Sequence, residues 1–93
     1  MTILIEKSFE RDINKIRSKR ILLDILNLIE LFQKANALSD IANIKKIQGY
    51  SSFYRIKISD YRIGLEKLAN NTIVFLRALP RKDIYRFFPG KRI

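Results

Sequence analysis

Three cations, Arg55, Lys57 and Arg62, lie on two short stretches of alternating polarity that Ser59-Asp60 separates, and Arg81 and Tyr85 follow further along. Paired as a hairpin, the two stretches place all three cations on one sheet face, with Glu66 the one acid near its far end. Cations held side by side repel one another, whereas a merely solvated face ordinarily mixes signs. Phosphates lying over the face would relieve that repulsion. The chemistry open to this set is cleavage of an RNA phosphodiester without a metal or an imidazole. A ribose 2′-OH attacks the adjacent phosphorus, a base takes its proton, and cations stabilise the pentacovalent oxyanion. Arginine stays protonated and supplies charge alone, while a lysine crowded by other cations can give up its proton and serve as the base. Lys57, Arg62, Arg81 and Tyr85 are the parts for that reaction. Lys45, Lys46, Arg55, Lys82 and Arg86 are the further cations along which an RNA strand would run. Tyr85, with cations on both sides in sequence, is suited equally to meeting a nucleotide and to packing, and Phe87 and Phe88 are expected to close the edge of the core. Most basic domains contain such residues, so the inventory alone does not select the reaction.

Composition narrows the field. The 93 residues contain no His and no Cys, which excludes disulfides, thiolate nucleophiles, Cys/His zinc sites and any Ser-His-Asp triad. The formal net charge is +10 and is unevenly spread. Residues 1–41 carry seven Lys/Arg against six Asp/Glu, and residues 42–93 carry twelve against three. Charge concentrated in this way costs stability through self-repulsion, so a polyanionic partner is expected, nucleic acid first and an acidic protein second. No apolar run exceeds four residues, too short to span a membrane. With Glu6 close behind the first apolar residues, the start does not read as a signal peptide. A cytoplasmic chain with no membrane partner is expected.

The elements that carry these residues follow from spacing. Thr2-Ile3-Leu4-Ile5 reads as a first strand. Ser8 is a candidate cap for a helix with Glu10 and Asp12 in its first turn and Phe9, Ile13 and Ile16 on one face. Arg17-Ser18-Lys19-Arg20 interrupts the pattern, and a longer helix follows with Leu22, Ile25, Leu26, Ile29 and Phe32 on one stripe. Residues 35–52 read as irregular, anchored by Ile41, Ile44 and Ile47 with Lys45 and Lys46 outward. The period then changes to two: Tyr54, Ile56 and Ile58 face one way, Arg55 and Lys57 the other. After the turn, Tyr61, Ile63 and Leu65 face inward and Arg62 and Glu66 outward. Asn70-Asn71 is a second turn, Ile73-Val74-Phe75-Leu76 a central strand, and Pro80 its end. The tail adds Lys91 and Arg92. The expectation is a single α+β domain over residues 1–93, order β-α-α-β-β-β. A two-helix N-terminal hairpin packs on one face of a small, mostly antiparallel sheet.

Four motifs in order carry a resemblance. Ile44-Lys45-Lys46-Ile47-Gln48-Gly49, Tyr54-Arg55-Ile56-Lys57, Asp60-Tyr61-Arg62-Ile63 and Arg81-Lys82-Asp83-Ile84-Tyr85-Arg86 resemble the RelE branch of the RelE/ParE toxin superfamily, and length and element order agree over nearly the whole chain. The resemblance implies a type II toxin that enters the ribosomal A site and cuts mRNA by 2′-OH attack. It also implies neutralisation by a cognate, RelB-like or other, antitoxin, and no cofactor. By the same resemblance, Lys57 matches a lysine implicated in catalysis or RNA positioning. Arg62 matches the phosphate-contacting arginine, Arg81 the arginine ending the last strand, and Tyr85 the C-terminal catalytic tyrosine. Arg55 stands where RelE has another lysine, which leaves Lys57 or Tyr85 to take the proton. Leu79-Pro80 replaces a Gly-His pair that many relatives have. Two alternatives remain at this point: a ParE-like inhibitor of DNA gyrase, whose relatives generally lack the Lys57, Arg62, Arg81 and Tyr85 set, and a non-catalytic basic nucleic-acid-binding module.

Overall fold

The alternating residues from Phe53 onward form a hairpin in the computed structural model, which describes residues 1–90. The strands are β1 (Thr2–Ile5), β2 (Ile44–Lys46), β3 (Phe53–Ile58), β4 (Tyr61–Leu68) and β5 (Thr72–Pro80). The helices are α1 (Lys7–Lys15), α2 (Lys19–Lys34) and α3 (Ile84–Phe87), with one 3-10 turn at Leu38–Asp40. The sheet runs β1-β5-β4-β3-β2. Only the β1–β5 pair is parallel, because α1 and α2 carry the chain away between the first strand and the rest. The expected α+β architecture holds, with two additions. The stretch 35–52 contains the edge strand β2, and the tail contains α3.

Strand periodicity sorts the side chains onto two faces. One face packs on α1 and α2: Ile56, Ile63, Leu65, Ile73 and Phe75 meet Phe9, Ile16, Ile25 and Phe32. The Phe75 ring stands edge-on to Phe9 at 5.4 Å and to Phe32 at 5.2 Å, an arrangement aromatic quadrupoles favour. On the other face Val74 and Leu76 pack with Ile84 and Phe88 from α3 and its C-terminal end. The second face is therefore covered over β4 and β5, while the cations occupy its remainder toward β2 and β3.

A register shift at Gly64/Leu65 sets Gly64 opposite Arg77 and Leu65 opposite Phe75, leaving Leu76 as an extra residue on β5. Beyond Phe75 that strand has lost its β1 neighbour, and an open strand edge needs partners. α1 supplies them. Glu6 N–H donates to the Phe75 carbonyl at 3.1 Å, Ser8 Oγ donates to the Leu76 carbonyl at 2.6 Å, and Ala78 N–H donates to Asp12 Oδ2 at 2.9 Å. Ser8 is thus a sheet-edge donor and not the helix cap its position suggested; the cap position is Glu6, without a side-chain bond. Asp12 is buried and also holds Arg77 through two bonds of 2.8 and 3.1 Å. At α2 the cap is Ser18, whose oxygen accepts from Ile21 N–H. Among the described residues no helix is long and apolar enough to cross a membrane.

Candidate active site

The β2–β3–β4 register builds the site. Lys45 stands opposite Arg55, and Lys57 stands opposite Arg62. These four cations, with Asn43 and Ser59, line a cavity of about 470 Å³. None of the four is ion-paired with a described carboxylate. Uncompensated positive charge in a concave site concentrates field lines and attracts polyanions.

Arg62 departs from the expected outward, solvated position. It lies on the expected face but is only 7% exposed. Its Nη1 donates to the carbonyls of Ser59 at 3.1 Å and Tyr61 at 3.0 Å. A buried guanidinium is tolerable when hydrogen-bonded, and these bonds hold a turn that is itself strained, since Ser59 sits at φ 51° without being Gly or Asn. The next carbonyl, of Asp60, accepts Arg81 N–H at 2.6 Å. One turn therefore joins Arg62, through its side chain, to Arg81, through its backbone. Arg81 and Lys82 line a separate hollow with Asp60 and Pro80.

Tyr85 and Arg86 lie on α3, where Ile84 is fully buried and Tyr85 is 58% exposed. Core packing is thereby ruled out for Tyr85. Arg86 lies 5.4 Å from the centre of the Phe87 ring and 3.8 Å from Asp83. Of the two Phe expected to close the core, Phe88 does so and Phe87 stays half exposed. Lys46 does not join Lys45: its register partner Tyr54 packs toward the helices, so its side chain leaves from the opposite face. Lys91 and Arg92 lie outside the described residues. The fold thus gathers Lys45, Arg55, Lys57 and Arg62 in one cavity, sets Arg81 and Lys82 in a separate hollow, and carries Tyr85 and Arg86 on α3. Asn43 and Ser59 were missed as cavity residues; each has a positive φ, 62° and 51°, a turn property that their residue types alone signal weakly.

The chain resembles known proteins over nearly its whole length. Residues 3–85 match the family described as ParE toxin of type II toxin-antitoxin system, parDE. The chain is 43% identical to Toxin RelE3 of Methanocaldococcus jannaschii over 93 residues, covering 96% of this chain and all (100%) of that one. It superposes on a chain of the RelB-RelE antitoxin-toxin complex from Methanococcus jannaschii with a TM-score of 0.78 at 41% identity, covering 92% of this chain and 99% of that chain. A chain of the archaeal RelE-RelB complex from Pyrococcus horikoshii OT3 shares the fold, with a TM-score of 0.71 at 17% identity over 89% of this chain and 97% of that chain. The chain therefore belongs to the ParE toxin family of type II toxin–antitoxin systems, as a RelE-like toxin.

Proposed function

We propose that this toxin is a metal-independent endoribonuclease that cuts ribosome-bound mRNA by attack of a 2′-OH on the adjacent phosphorus. The observation that carries the reading is the cavity lined by Lys45, Arg55, Lys57 and Arg62, unpaired with any described carboxylate, at the turn that also anchors Arg81. In the reaction the P–O2′ bond forms, the P–O5′ bond breaks, a base takes the 2′ proton and an acid returns one to the 5′ oxygen. Lys57 and Tyr85 are the groups able to exchange a proton, and Arg62 and Arg81 supply fixed positive charge to the oxyanion. Lys45 and Arg55 draw the strand in, with Lys82 and Arg86 extending the path and Lys46 meeting RNA or ribosome from the far face.

The same reading supplies a partner. Relatives have been crystallised as RelB-RelE complexes, and a cognate antitoxin is proposed for this chain. An apolar groove of about 600 Å³ between α1 and α2, lined by residues including Ile13, Leu22 and Leu26, suits an amphipathic antitoxin helix. The test of the catalytic reading is induction of the chain alone in cells. Translation should stop, and messages should be cut within their reading frames only when ribosomes occupy them. Intact messages with accumulating gyrase-linked DNA breaks would establish the gyrase-directed reading instead.

A further inference from the structure

Gly64 lies in the middle of β4, where a strand ordinarily carries a side chain. A Cβ built there would stand 2.7 Å from Cδ1 and 2.8 Å from both Cγ and Cε1 of Phe88. The whole edge of the ring, not a flexible tip, lies on the glycine. Phe88 is 1% exposed and has no room to retreat inward. Its ring meets Phe53 edge-on at 5.6 Å and packs in the cluster of Val74, Leu76 and Ile84. Phe88 N–H in turn donates to the Ile84 carbonyl at 2.7 Å, so a shift of the ring is passed directly to the single turn of α3 that bears Tyr85. At the other end of this segment Arg81 is fixed to Asp60. On its outer side Phe87 lies 5.6 Å from the Arg77 guanidinium, which Asp12 locks in place.

We propose that Gly64 is a positioning residue for the cleavage reaction. Its missing side chain forms the seat for Phe88, and that seat sets where α3 holds Tyr85 relative to Lys57 and Arg62. The inference rests on the role of Tyr85 given under Proposed function. Gly64 touches no substrate and acts only through the Phe88 ring. Misplacement of a reacting group by about 1 Å costs on the order of 10²-fold in rate, and a new Cβ displaces the ring on that scale.

The test is a double-mutant cycle on ribosome-dependent cleavage by the full chain, with each variant assayed well below its melting temperature. Gly64→Ala should lower kcat about 10²-fold while KM for programmed ribosomes stays within a few-fold of wild type. Replacing the ring in that background, as Gly64→Ala/Phe88→Leu, should recover part of the loss. In a Tyr85→Phe background Gly64→Ala should cost little more, because the group it misplaces is already gone. A Gly64 loss that multiplies in full with the Tyr85 loss overturns the inference and leaves the Tyr85 role standing. A Tyr85→Phe chain that cleaves at the wild-type rate, or a wild-type chain that cleaves nothing, overturns the catalytic reading and the inference with it. Should Gly64→Ala fail to fold, Phe88→Leu alone in both Tyr85 backgrounds runs the same cycle from the other side of the contact, with the same two outcomes.

Discussion

Lys57 and Arg62 stand opposite each other on neighbouring strands, yet they are held in different ways. Arg62 is buried, bonded to two turn carbonyls and lines the cavity, so Arg62→Ala removes a charge and a clamp together. Cleavage should slow by about 10²–10³-fold through the lost oxyanion contact. Stability should fall by about 1–3 kcal/mol through the lost bonds to Ser59 and Tyr61, measured by urea unfolding. Lys57 is exposed, and its side chain makes no hydrogen bond to a described residue, so Lys57→Arg should fold as wild type. That substitution keeps the positive charge but puts in a group that cannot act as a base. Cleavage should then be lost while RNA binding is retained; retained cleavage would leave Tyr85 as the base. At this scale alternation correctly told which face Arg55, Lys57 and Arg62 occupy, because strand period is a local property. It could not tell that Arg62 is buried, because the carbonyls that hold it depend on how Ser59-Asp60 turns. Nor could it pair Asp12 with Arg77, a contact across 65 positions.

Among the elements, α1 acts as an edge cap as well as a core helix. Ser8 and Asp12, one turn apart, take over the open edge of β5 where β1 stops. Asp12→Ala leaves Ala78 N–H and the Arg77 guanidinium without their acceptor. Because the Arg77 side chain is 25% exposed, water relieves part of the cost. A loss of about 2–3 kcal/mol is expected in urea unfolding, with Asp12→Asn costing less because its carbonyl still accepts from Ala78. Ser18→Ala removes the α2 cap and should cost about 1 kcal/mol. The long helices and the 53–80 meander were legible because each repeats its period several times. β2 and α3 were not: three and four residues respectively are too few to show a period, and both exist through contacts made elsewhere in the chain. Ile44 pairs with Ile56, and Ile84 is anchored against Val74 and Leu76.

For the whole molecule, the charge asymmetry falls on the half of the chain that builds the cavity. The helix-bearing first half is nearly neutral, while the second half, which builds the cavity and α3, holds twelve Lys/Arg against three Asp/Glu. RNA binding should therefore weaken steeply with salt. With four to six phosphate contacts, the log–log slope for single strands is expected to be roughly −3 to −4. A flat response in filter binding or anisotropy would remove RNA as the partner of this face.

The most direct measurement maps the ends of a message read by ribosomes in the presence of the purified chain. Attack by a 2′-OH leaves a 2′,3′-cyclic phosphate on the upstream fragment and a free 5′-hydroxyl on the downstream one. Both ends should appear inside the reading frame, only with ribosomes engaged, and should fall by at least about 10²-fold in Arg81→Ala and Tyr85→Phe. An intact message, or the same ends produced at wild-type rate by those variants, would contradict the assignment of this face as the catalytic site.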